Sequence, residues 1–95
     1  MRFRFSDQRL EALYSGGGKS QSKFSPDTIR QFMKLMQIIR TARDERDLRA
    51  FKGRRFEKLQ GNLDGWNSMR INDQFRLVFA IQDDELVIRG IEDYH

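Results

Sequence analysis

Cysteine is absent from the 95 residues, and histidine occurs once, as His95. Those shortages exclude a disulfide scaffold and a thiolate or multi-histidine metal centre. The carboxylates are scattered, so no metal and no cofactor is expected. No apolar run approaches the roughly 18–20 residues that span a bilayer. The opening "MRFRF" lacks the apolar core of a signal peptide. A cytoplasmic protein with no membrane contact is therefore expected. "GGGKS" at 16–20 is not a phosphate loop: the glycine required five positions before Gly18 is replaced by Leu13. The segment also follows a helical pattern rather than a strand. No serine has the surroundings of a Ser/His/Asp nucleophile.

What is present suits one small domain over residues 1–95. Hydrophobic residues make up 38% and charged residues 34%, enough for a modest core under a charged surface. The net charge of +4 is unevenly spread. Residues 30–70 carry eleven Lys/Arg against five Asp/Glu, a balance of +6, whereas residues 82–95 carry one Arg against five acids, a balance of −4. A basic middle beside an acidic end points to a polyanion-binding surface next to a different kind of site. Charge alone leaves open a merely solvated surface.

"RFRF" at 2–5 alternates with the period of a short half-buried strand. Ser6 and Asp7 offer an N-cap to a short helix over about 7–14, ended by the "SGGGKSQS" loop. "SPDT" at 25–28 is a helix start, with Ser25 to cap, Pro26 at the first position and Asp27 at the positive dipole end. Ile29, Phe32, Met33, Met36 and Ile39 then trace an apolar stripe, which predicts the main core helix over about 26–42. A charged helical turn at 43–51 has Leu48 and Phe51 as its anchors. Beyond Gly53 the period falls to two. Segments 66–71, 75–81 and 85–91 read as strands joined by "NDQ" and "QDD", and 56–65 enters the sheet as a further strand. The fold class is α+β: an N-terminal strand and two helices packed on one face of an antiparallel sheet.

General acid–base cleavage of RNA is the chemistry with the fewest unmet demands. It needs a base for the 2′-hydroxyl proton, a cation for the charge of the phosphorane and an acid for the leaving 5′-oxygen. Candidates gather late in the chain: Glu57, Arg70, Arg76, Asp93, Tyr94 and His95. Arg76 stands alone amid apolar neighbours, so it should face a charged partner or solvent. Trp66, Ser68 and Arg70 share a face, and Arg70 and Arg76 flank the "NDQ" turn on what should be adjacent strands. Two surface salt bridges would account for those arginines equally well.

"LQGNLDGWNSMRINDQFRLVF" at 59–79, with "DYH" at 93–95, resembles the HigB-type toxins of the RelE superfamily, in the subgroup once called plasmid maintenance killer proteins. The resemblance covers nearly the whole chain and is sharpest over 55–95. It implies a RelE-like fold and a ribosome-dependent mRNA endonuclease that enters the ribosomal A site. It also implies neutralisation by a helix-turn-helix antitoxin of the HigA type, with operator DNA met only through that antitoxin. By position, Arg76 matches the arginine that holds the scissile phosphate, and Asp93, Tyr94 and His95 match the terminal catalytic and base-stacking triplet. Arg54, Arg55, Lys58 and Arg70 are the expected RNA-binding cations. Some members have histidine where Glu57 stands and lysine where Gln60 stands. "RFEKL" at 55–59 agrees instead with a branch that carries glutamate there. Glu57, Asp93 and His95 all remain open as the general base. A catalytically weak module acting by ribosome or antitoxin binding is the alternative. A DNA-binding regulator fits less well, because the 26–42 helix is needed by the core.

Overall fold

The computed structural model describes residues 1–19 and 22–93. β1 (Arg2–Phe5) leads into α1 (Gln8–Ser15), α2 (Pro26–Thr41) and α3 (Glu45–Ala50). The chain continues through β2 (Glu57–Lys58), β3 (Asn67–Arg70), β4 (Phe75–Gln82) and β5 (Glu85–Asp93). Short 3-10 turns stand at Lys52–Arg54 and Gly61–Leu63. The α+β expectation holds, and the helices start where short polar side chains can take up their first N–H groups. Asp7, rather than Ser6, accepts from the backbone of Arg9 and Leu10. Ser25 accepts from Thr28 N–H with Pro26 behind it, and Asp44 accepts from Arg46 N–H.

The five strands lie in the order β1-β5-β4-β3-β2. β2 to β5 form the antiparallel meander that the sequence suggests. β1 departs from it by pairing parallel to β5, with Arg2 opposite Glu85 and Phe5 opposite Ile88. Alternation in "RFRF" specifies which face is buried, but neither the partner nor its direction. β4 and β5 are joined by Asp83 and Asp84 alone, both at positive φ (52° and 62°), the conformation of the tight turn that suits strand twist.

The helices cover one face of the sheet. Phe32, Leu35, Met36 and Ile39 of α2 are buried with Leu10 and Leu13 of α1, Leu48 of α3, and Met69, Leu77, Phe79, Leu86 and Ile88 of the strands. Phe3 and Phe5 meet Tyr14 at this layer's edge, with ring centroids 5.5 and 5.7 Å apart. Phe51 does not act as an anchor. α3 ends at Ala50, and Phe51 turns outward with 48% of its surface exposed. Phe56 packs on Phe79 instead, beneath the Arg49 guanidinium. The strand expected over 56–65 is only two residues long, because the chain leaves the ladder for the 3-10 turn at Gly61.

β5 carries an irregularity that affects everything after it. Phe79 pairs with Ile88 but Val78 pairs with Gly90, so Arg89 is an extra residue. One added residue exchanges the two faces of the strand beyond it. Ile91 therefore joins the helix side, opposite Leu77, and Glu92 falls on the other side, opposite Arg76. No helix among the described residues is long and apolar enough to cross a membrane.

Candidate active site

Arg76 is the charged side chain buried most deeply in the described chain, with 7% of its surface exposed. It projects from β4 on the face away from the helices, because Leu77 and Phe79 take the core positions on either side of Val78. A buried guanidinium is tolerable only when its donors are met. Arg76 Nε donates to Ser68 Oγ at 2.7 Å, and Nη2 donates to the carbonyl of Arg55 and at 3.4 Å to that of Ser68. Glu57 Oε1 lies 3.7 Å from Nη2, with most of its carboxylate still in solvent. Arg76 thus faces a charged partner, as expected, while Arg70 takes the alternative of a surface pair, with Asp73.

Around this group lies an open cleft of about 640 Å³ lined by Gly53, Arg55, Glu57, Leu59, Arg70, Asp73 and Arg76. Its residues come from three strands and two turns for identifiable reasons. β2 brings Glu57 opposite Ser68, and β3 brings Arg70 opposite Arg76. The 72–74 turn is held by Asn72, whose Oδ1 accepts from Gln74 and Phe75 N–H at 3.0 and 2.9 Å while its Nδ2 donates to Thr28 of α2. Arg55 follows the Lys52–Arg54 turn in a left-handed conformation, φ 48° and ψ 65°, which aims its carbonyl at Arg76. Arg70 is paired with Asp73 across that turn. Three cations and two carboxylates thus share the cleft, a positive balance suited to a phosphodiester.

Four of the residues singled out in the sequence meet here: Arg55, Glu57, Arg70 and Arg76. The others do not. Arg54 is turned inward, donating to the carbonyls of Ile71 and Arg70 at 3.0 and 3.3 Å and to Gln31 Oε1 at 3.2 Å. It is a strut between the end of β3 and α2, not an outward phosphate contact. Burial, with the neighbouring Arg70 charge, lowers its pKa from the ordinary arginine value. Lys58 is exposed on β2 but lies opposite Asn67, on the face away from Arg76. Asp93 lies opposite Phe75 rather than Arg76, and its Oδ2 accepts from Gln74 Nε2 at 2.9 Å. Tyr94 and His95 lie outside the described residues. Sequence reasoning missed Ser68 and Glu92 as neighbours of Arg76. The alternation of 66–70 put Ser68 on the correct face, but the bulge at Arg89 hid Glu92. No group of three or more potential metal ligands occurs among the described residues.

A family described as the RelE-like toxin of the type II toxin–antitoxin system HigB matches residues 3–95. Toxin HigB-1 of Vibrio cholerae serotype O1 is 39% identical over 84 residues, spanning 87% of this chain and 86% of that protein. Among solved structures, the YoeB–YefM toxin–antitoxin heterotetramer of Staphylococcus aureus aligns over 100% of this chain and 97% of its own, with a TM-score of 0.63 and 25% identity. YafQ of E. coli aligns over 99% of this chain and 94% of its own, with a TM-score of 0.63 at 12% identity, a likeness of fold alone. With a family match over almost its full length and a relative this similar, the chain belongs to the HigB-like, RelE-like toxins of type II toxin–antitoxin systems.

Proposed function

We propose that this toxin, a single domain over residues 1–95, is a ribosome-dependent mRNA endonuclease that blocks translation by cutting the message in the ribosomal A site. The observation that carries the reading is the Arg76 cleft: a guanidinium fixed by the fold, beside a carboxylate, with Arg55 and Arg70 at its rim. In the proposed reaction a base removes the ribose 2′-hydroxyl proton. The 2′-oxygen bonds to phosphorus, the bond from phosphorus to the 5′-oxygen breaks, and an acid returns a proton to that leaving oxygen. The products are a 2′,3′-cyclic phosphate and a 5′-hydroxyl. Arg76 offsets the charge that gathers on the non-bridging oxygens, where each preorganised donor is worth most. The scheme calls for neither metal nor cofactor.

Glu57 is the base this geometry favours, because it shares the Arg76 face within 3.7 Å of the guanidinium. Asp93 then orients the chain end through Gln74. His95 is the acid, and Tyr94 stacks on an unpaired base. Arg55, Lys58 and Arg70 attract the RNA backbone. The partner that silences the protein is an antitoxin, as its family requires; we take it to be of the HigA helix-turn-helix type, with operator DNA reached only through it, in the cytoplasm. A second reading, a weak nuclease acting by binding to the ribosome or the antitoxin, draws on the same Glu57–Arg76 pair. An entering phosphate must compete with that carboxylate for Arg76.

Primer extension on messenger RNA after brief induction separates the two. Discrete breaks are expected within translated regions, absent with Arg76→Ala. Growth arrest with intact messages would leave only the binding module. Deleting His95 should give a folded, antitoxin-binding protein that no longer cuts; a deletion protein as toxic as the parent would remove His95 from the scheme.

A further inference from the structure

Ser68 and Arg76 are both buried on the sheet face opposite the helices, and they bond to each other. Neither is cheap to place there. A cation in a central strand forfeits its hydration, and a well-packed apolar pair of similar volume would give a more stable sheet. Val78 and Ala80, further along the same face of β4, follow that apolar rule, with 2% and 5% of their surfaces exposed. The exception is confined to the position that opens on the cleft.

The geometry points to Ser68 as a positioning residue that, with the carbonyl of Arg55, locks the plane of the Arg76 guanidinium. A guanidinium swings about its long stem unless its donors are tied down. Here the acceptors sit on two separate elements. Ser68 Oγ on β3 takes Nε at 2.7 Å, which fixes the inner edge of the fork. The Arg55 carbonyl, from the left-handed residue after the 3-10 turn, takes Nη2 and sets the rotation about that edge. With 1% exposure, Ser68 cannot itself meet a ligand, so whatever it contributes passes through Arg76. Displacements of about 1 Å at a reacting centre can cost on the order of 100-fold in rate. The residue therefore bears on turnover rather than on binding.

The kinetic part of this inference rests on the endonuclease reading; the placement of Arg76 does not, and the test treats them separately. In proton–nitrogen correlation spectra the Arg76 Nε–H should give a slowly exchanging resonance. Ser68→Ala should abolish it. Ser68→Thr and Ser68→Val have the same shape and differ by the hydroxyl, so Thr should keep the resonance and Val should lose it. In single-turnover cleavage on programmed ribosomes, Ser68→Ala and Ser68→Val should slow cutting by about 10–100-fold with ribosome affinity unchanged. Adding Ser68→Ala to Arg76→Ala should cause no further loss. A packing role that does not pass through Arg76 would instead lower activity in both backgrounds alike and would not distinguish Thr from Val. A wild-type Nε–H that exchanges freely, equal activity of the Thr and Val proteins, or losses that multiply would each overturn the proposal. A protected Nε–H that Ser68→Ala removes, in a wild-type protein that cuts nothing, would uphold the lock and refute the endonuclease reading.

Discussion

Arg76 and Glu57 sit at the point where stability and chemistry make opposite demands. The fold buries a guanidinium, then leaves its carboxylate neighbour in water. Arg76→Ala should reduce cleavage by about 100–1,000-fold, the usual loss of one preorganised donor. Arg76→Lys should rescue little, since an ammonium cannot reproduce a planar fork held by Ser68 and Arg55 at once. Glu57→Gln keeps the shape and removes the proposed base. Single-turnover cleavage should fall by about 100-fold or more, whereas a rise would mean that Glu57 only competes with the phosphate for Arg76. Arg76 was legible in the sequence because one charge in an alternating apolar strand needs a reason. Ser68 was not: a serine in a half-buried strand gives no sign of which group it will bond. Arg54 misled for the opposite reason, since a cation in a basic run looks solvated until its carbonyl partners at Arg70 and Ile71 are known.

α2 was the easiest element to read, because its cap, its proline and its apolar stripe all agree. β5 was the hardest. Alternation from Leu86 and Ile88 would turn Glu92 inward and bring Asp93 onto the Arg76 face. The bulge at Arg89 reverses both, and nothing in "VIRGIED" announces it apart from a glycine. The turn before β5 offers a clean test of the backbone. Asp84 sits at φ 62°, where an L side chain is crowded and glycine is not. Asp84→Gly should stabilise the protein by about 0.5–1 kcal/mol after the added freedom of the unfolded chain is counted, read as a higher Tm with cleavage unchanged. An equal or lower Tm would show that the aspartate offsets its own strain. α3 has a pH signature. Arg46 donates to the Asp44 carboxylate from its side chain and its backbone, which lowers that carboxyl from 3.8 to about 2. A carboxyl lowered in the folded state stabilises above its unfolded value and loses that contribution as pH falls through the folded one. The start of α3 should therefore hold down to about pH 3 and fray near pH 2. Carboxyl carbon shifts would follow this, and a midpoint near the ordinary value would mean that the pair does not form in solution.

The molecule as a whole divides its charge, with basic side chains around the cleft and acids on the β4–β5 turn and at the end of β5. Because phosphate contacts release counterions, ribosome affinity should fall steeply between about 50 and 200 mM salt; near-constant affinity would refute a phosphate-binding cleft. The parallel pairing of β1 with β5 bears on when the protein comes into being. β1 leaves the ribosome before the other described elements, and its ladder partner, from Glu85 to Ile88, is translated after all the other described helices and strands. The entropic cost of closing so long a loop cannot be recovered before that partner exists. β4, which carries Arg76, likewise has one side unpaired until the codons for residues 85–93 have been read. Translation order thus works as a timer: the sheet that flanks Arg76 on both sides cannot close until residues 85–93 have been made.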